Sequence, residues 1–128
     1  MLRAAILTAL SMALVLVGCG NNDKPGSSIN AQTDESGQPI PRSTTGDKGR
    51  YYLLEKSREG DIVKTLHKRV GADTVGFTRM EINCGNMKLK EIGYGEGSVS
   101  NIRINETDWF DSVPGSSKAD LAYFVCSN

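Results

Sequence analysis

The stretch Met80-Glu81-Ile82-Asn83-Cys84-Gly85-Asn86-Met87-Lys88-Leu89-Lys90 decides the fold. Gly85-Asn86 sits between two apolar-patterned runs. That pattern predicts a two-residue hairpin turn of type II′, with Met87 to Tyr94 as the returning strand. Reading backward, Thr74 to Cys84 is the outgoing strand. Val75 and Phe77 lie on one parity, and Met80, Ile82 and Cys84 on the other. A strand with one buried face cannot turn both sets inward, so a bulge or bend is expected near Thr78-Arg79.

Further outward the same grammar repeats. Ile62 to Val70 reads as a strand with Ile62, Leu66 and Val70 on one face and Lys64 and Lys68 between them. Gly71-Ala72-Asp73 closes it, and Arg58-Glu59-Gly60-Asp61 is the turn before it. Arg50 to Lys56 carries Tyr51, Tyr52, Leu53 and Leu54, an apolar run of strand character. On the other side, Tyr94-Gly95-Glu96-Gly97-Ser98 reads as a flexible loop, and Val99 to Ile104 as a last short strand. The tail changes period. Lys118 to Cys126 reads as a helix with Ser117 as N-cap and Asp120 three places on, near a capping box. Leu121 and Val125 share a face, as do Ala122 and Cys126. So short a helix needs a docking surface. The expected class is α+β: an antiparallel meander of about five or six strands with one C-terminal helix packed on it and a single disulfide.

The disulfide expectation rests on compartment. The first residues form an export signal: Arg3 in a short n-region, then an uncharged apolar run from Ala4 to Val17. That run is shorter than the roughly 20 apolar residues of a membrane span. It ends in Leu16-Val17-Gly18-Cys19, which resembles the lipobox of bacterial lipoproteins. The resemblance implies cleavage after Gly18, lipidation of Cys19 and anchoring by two or more acyl chains. Gly20, in place of an Asp, favours the outer membrane. Outside the cytosol, Cys84 and Cys126 are expected to pair. A loop of about 43 residues closed this way gains roughly 4 kcal/mol in the chain-entropy model. The alternative for these thiols is a metal or catalytic role, but no CxxC or Cys/His cluster accompanies them.

Three segments follow: a signal peptide over 1–18, a lipidated flexible tether over 19–49 and a folded domain over 50–128. The tether is rich in Gly, Asn, Ser, Thr, Pro and Gln. Ile29 and Ile40 are its only large apolar residues, too few to offset ordering entropy. Its mean reach is about 30 Å. Lys plus Arg and Asp plus Glu each number 15, for a formal net charge of zero. Such a balance argues against nucleic acid as a partner.

The domain resembles the surface-adhesin protein E family of proteobacterial lipoproteins. The likeness is carried by Met80-Glu81-Ile82-Asn83-Cys84, by Trp109, by Val113-Pro114-Gly115-Ser116, and by Leu121 to Val125-Cys126. It implies an antiparallel sheet with a C-terminal helix, paired Cys84 and Cys126, and Trp109, Pro114 and Gly115 as structural residues. It also implies surface display and binding of host extracellular-matrix and serum proteins such as vitronectin and laminin. No host-binding segment aligns by motif, so no ligand-binding residue carries over.

Chemistry-bearing residues are sparse. His67 is the sole histidine and stands in no triad pattern, so a surface or half-buried strand position is expected. Gly93-Tyr94-Gly95-Glu96-Gly97 lacks the Gly-Lys-Ser/Thr ending and helix of a phosphate loop. Asp108 and Asp111 read as a solvated turn. Lys64, His67, Lys68 and Arg69, with Lys88 and Lys90 nearby in the sheet, could form a basic patch for a glycosaminoglycan or an acidic protein, against the plainer reading of a solvated strand face. Trp109 and Phe110 could be exposed contact anchors, since interfaces favour aromatics, or pack the helix onto the sheet; packing is the expectation for Trp109. No catalytic residue, metal or cofactor is expected, and an uncovered edge strand allows a homodimer. The functional expectation is a non-enzymatic, membrane-anchored binding module. Alternatives are a periplasm-facing accessory protein of a secretion, conjugation or exclusion assembly, and a hydrolase inhibitor using Gly93 to Ser98 as a protruding loop.

Overall fold

The computed structural model describes residues 36–127. The signal segment, Cys19 and the first part of the tether lie outside the described residues. The secondary structure runs β1 (Gln38–Pro39), β2 (Arg50–Glu59), β3 (Ile62–Val70), β4 (Val75–Asn83), β5 (Lys88–Glu96), β6 (Arg103–Ile104), β7 (Phe110–Asp111) and α1 (Ser117–Cys126), with a 3-10 turn over Val99–Asn101. The sheet is antiparallel and open. Its order is β1-β2-β3-β4-β5-β6, with β7 also on β5.

The central hairpin differs from the two-residue expectation. Asn83 pairs with Lys88, so the connection is the four residues Cys84 to Met87. Asn83 Oδ1 accepts from the Gly85 amide at 2.9 Å, and Asn86 Oδ1 from the Lys88 amide at 3.1 Å. Met87, with φ 56°, makes the left-handed step that a two-residue turn would have given to glycine. Asparagine side chains bonding two residues on are a local alternative to a tighter turn.

Both parities of β4 are buried, on opposite faces. Val63, Met80, Ile82 and Leu89 form one cluster with Ile40, Tyr51, Leu53 and the α1 residues Leu121, Ala122 and Val125. Tyr52, Leu66, Val70, Val75 and Phe77 form a second cluster, with Leu54 and Ile102 packed against it. The expected register break is present, but it falls on β5: Arg79 faces Gly93 and Met80 faces Glu91, leaving Ile92 as the extra residue. β4 itself runs in unbroken register with β3.

The folded unit starts before Arg50. Gln38 and Pro39 pair with Leu53 and Tyr52, the Ile40 amide donates to the Tyr51 carbonyl at 2.9 Å, and Ile40 is buried. Residues 38–49 therefore belong to the domain and not to a free tether. Charge holds this segment where apolar content does not. Arg42 Nε donates to Asp120 Oδ2 at 2.8 Å, and Asp47 Oδ1 accepts from Arg69 Nη2 and the Gly49 amide at 2.9 and 2.8 Å. Hydrogen bonds from Tyr51, the Gly49 amide and Arg69 hold the Asp47 carboxyl well below the usual carboxylate range.

Helix α1 begins one residue earlier than expected. Ser116 is the N-cap, its hydroxyl accepting from the Ala119 amide at 3.1 Å. Asp120 serves Arg42 and the Ser43 amide instead of a capping box. The helix leaves the sheet-side turn Val113-Pro114-Gly115-Ser116, in which the Ser116 amide donates to the Val113 carbonyl at 3.0 Å and Gly115 has φ 82°. Proline followed by a positive-φ glycine is the type II pattern. At the far end, Cys126 bonds Cys84 with Cα atoms 5.5 Å apart, which clamps the helix to the hairpin.

Candidate binding surface

The residues of the expected basic patch do not share one exposed face. Successive strand residues point to opposite sides, so Lys68 and Arg69 diverge. Lys68 is fully buried on the face of the second cluster, with Nζ 2.8 Å from Ser36 Oγ and 5.3 Å from the Tyr52 ring centroid. Arg69 lies on the helix face, donating to Asp47 and to the Tyr51 hydroxyl. Lys64 is exposed. Lys88 is 2.9 Å from Asp111 and Lys90 is 3.4 Å from Glu106. Countercharges and alternation break up the patch.

A different surface takes shape at the β5 edge. The glycines at 93 and 95 belong to β5 and not to a protruding loop. A Cβ on Gly95 would meet the Asn101 carbonyl carbon at 2.4 Å, and one on Gly93 the Arg103 oxygen at 2.6 Å. Their bareness lets residues 101–103 lie against the strand. Beyond this contact the chain continues alongside β5: the Asn105 amide donates to the Ile92 carbonyl and the Thr107 amide to the Glu91 carbonyl, each at 2.9 Å. Phe110 faces Leu89 and packs against the helix-side cluster. Trp109, its neighbour, therefore points away. It is 39% exposed, with Lys90 Nζ 6.0 Å from its ring centroid. This corrects the expectation that Trp109 packs the helix; Phe110 does so. Ile104, 66% exposed and paired with Gly93, continues this outer edge.

The helix face also holds a small polar cavity. His67, Thr78 and Tyr94 are in register across β3, β4 and β5, and the first α1 residues Ser117 and Lys118 face them across the space. His67 is 6% exposed, more buried than its sequence setting suggests, and its Nδ1 has no hydrogen-bond partner. Burial, aided by the Lys118 charge, lowers its pKa to about 4, so the ring is neutral at neutral pH. Lys118 Nζ donates to Glu91 at 2.7 Å. The parity of β3 puts His67 with Val63 and Thr65 on the inward face, the one sequence signal that could have found it.

Among the described residues, no cluster of His, Cys, Asp or Glu is arranged to hold a metal ion, and no helix is long and apolar enough to cross a membrane. The chain matches no protein-family model, no curated protein and no solved structure.

Proposed function

We propose that this chain is a bacterial lipoprotein, anchored in the outer membrane through Cys19, that works as a non-enzymatic binding module for a macromolecular ligand. The observation that carries the reading is the placement of the two sheet edges. The segment leading from the N-terminal side enters at β1, while Ile104 and Trp109 are exposed at the β5 side. Four strand spacings separate β1 from β5, about 20 Å along the sheet. An anchor on the first edge leaves the second free for contact, and an exposed tryptophan is a side chain that protein interfaces favour. The likeness to the surface-adhesin protein E family makes extracellular-matrix and serum proteins the first ligands to test.

The inhibitor reading has less support, because Gly93 to Glu96 is strand and leaves no protruding loop there. The accessory reading differs in which way the domain faces. Protease shaving of intact cells carrying the full chain, followed by solid-phase binding to vitronectin and laminin, tests both points. Cleavage on intact cells, with saturable binding that falls at least tenfold in Trp109→Ala, is the expected result. A domain protected until the cells are lysed points to a periplasm-facing accessory role. Absence of saturable binding removes the adhesin reading.

A further inference from the structure

The β1 side of the sheet is only partly covered. Gln38 faces Leu53, Pro39 faces Tyr52, and the Ile40 amide donates to the Tyr51 carbonyl. At Gly37, with φ 103°, the chain turns off this edge, and Ser36 Oγ lies 2.8 Å from Lys68 Nζ on the face of the second cluster. Past that point residues 55–59 of β2 are all exposed, and no described strand pairs with them on their outward side.

The register tells which backbone groups face outward. Glu59 and Ile62 flank a two-residue turn with Gly60 at φ 59°, so these two exchange both backbone bonds. Alternation then turns the N–H and C=O of Glu59, Ser57 and Glu55 toward β3, and those of Arg58 and Lys56 away from it. The Cys84 amide, donating to the Asp61 carbonyl at 2.8 Å across the other side of β3, keeps the same phase. Lys56 and Arg58 face Thr65 and Val63, so their side chains lie two residues apart on the helix side of the sheet. Arg58 Nε donates to the Gly60 carbonyl at 2.8 Å, and neither cation pairs with a carboxylate among the described residues. On the opposite face Glu55 is held by Arg79 at 3.1 Å, and Ser57 is uncharged.

A second copy fits this edge badly. In antiparallel self-pairing centred on the stretch, Lys56 and Arg58 of one copy stand opposite Arg58 and Lys56 of the other, and like charges directly opposite are destabilising. Charged edges block self-association in this way. The same charges select a strand of the opposite sign.

We propose that the β2 edge at Lys56 and Arg58 docks an extended acidic peptide segment of a partner protein, which adds to the sheet antiparallel to β2. Main-chain bonds to the two outward residues hold it, and carboxylates two residues apart, opposite the two cations, select it. The site uses neither Trp109 nor the lipid anchor, so it stands or falls apart from the binding role proposed for the β5 side.

The isotope-labelled full chain, in detergent, is titrated with a peptide alternating glutamate and threonine, with the same peptide N-methylated at its glutamates, with a peptide alternating lysine and threonine, and with a heparin oligosaccharide. The expected result is saturable binding of the first peptide, with a dissociation constant of about 1 mM or below, shifts of the Lys56 and Arg58 amides, and slower hydrogen exchange at both. Lys56→Glu with Arg58→Glu, at exposed positions where folding is not at stake, should weaken that peptide about tenfold and let the lysine peptide bind instead. No saturable binding of the glutamate peptide, equal binding of its N-methylated form, or binding of heparin alone overturns the proposal. So does a complex in which the two amides stay unprotected, or dimerisation of the chain through this edge.

Discussion

Arg42 donates its Nε hydrogen to Asp120 at 2.8 Å, joining positions 78 residues apart in the sequence. The pair ties the segment before β2 to the first turn of α1. The Asp120 side chain is 5% exposed and that of Arg42 15%, so neither is well served by water if the other is lost. The Ser43 amide adds a second bond to the same carboxylate oxygen at 3.1 Å.

Asp120→Asn should therefore destabilise the domain by about 2–3 kcal/mol, as expected for a hydrogen-bonded charge left largely buried without its partner. Urea denaturation measures it. A change within about 0.5 kcal/mol, the usual range for a surface substitution, would mean that the N-terminal segment is not held by this contact.

His67 gives the fold a defined pH dependence. Its native pKa lies near 4, against 6.5 for an ordinary histidine, because burial disfavours the charged ring. Above pH 6.5 both folded and unfolded chains carry it neutral, and it contributes nothing to the slope. As pH falls from about 6.5 to about 4, the unfolded chain takes the proton and the folded chain does not. Stability should fall across that window by up to about 3 kcal/mol relative to His67→Asn. Parallel stability profiles of the two proteins would contradict the burial of the ring.

Acidification below that range acts through carboxylates. The Asp120 carboxyl is also lowered in the folded chain: burial raises its pKa, and the hydrogen bonds from Ser43 and Arg42 outweigh it. Asp47 shifts the same way. Their contributions are present above the unfolded value, about 4 for aspartate, and are lost as pH falls further. Asp47→Asn together with Asp120→Asn should therefore flatten the stability profile below about pH 4.

The Cys84–Cys126 bond spans a sequence separation of 42. Its removal as the double serine variant should cost roughly 4 kcal/mol by the loop-closure estimate. Thermal unfolding with and without reductant provides the check. Equal midpoints would show that α1 stays docked by Leu121, Ala122 and Val125 alone.

Gly95→Ala tests the outer edge. The added methyl would lie 2.4–2.5 Å from backbone atoms of Asn101 and Ile102, which cannot move aside as a flexible side chain would. Overpacking of this kind costs about 1–3 kcal/mol, read by chemical denaturation. Hydrogen exchange should locate the loosening at residues 101–107. An unchanged protein would mean that this segment does not lie against β5.

The meander was readable because turn residues punctuate it: Gly60-Asp61, Gly71-Ala72-Asp73 and Gly85-Asn86 each fall between strands. The helix was readable from Leu121, Ala122 and Val125. The second apolar cluster was hidden because Lys64 and Lys68 interrupt Leu66 and Val70 on one face of β3, and nothing local tells that Lys68 is buried against Tyr52. The segment 38–49 was misread for a related reason. It has one apolar anchor, Ile40, and its order comes from Arg42 and Asp47 finding partners far along the chain. Propensity and periodicity are blind to such pairings. The edge segment followed the same rule: choosing between Trp109 and Phe110 as the inward aromatic depends on register with Leu89, which sequence alone does not fix.

The bond between Arg42 and Asp120 also sets a schedule for maturation. Synthesis proceeds from the N-terminal side, so the strands β2 to β5 can pair while the remainder is still being made. Residues 38–40 and Asp47 can engage β2 and β3 at once, but the Arg42 Nε and Ser43 amide lack Asp120 until α1 has emerged from the ribosome. A nascent chain stopped at Gly115 should stay open to proteolysis around Arg42 and Ser43, and the full chain should not.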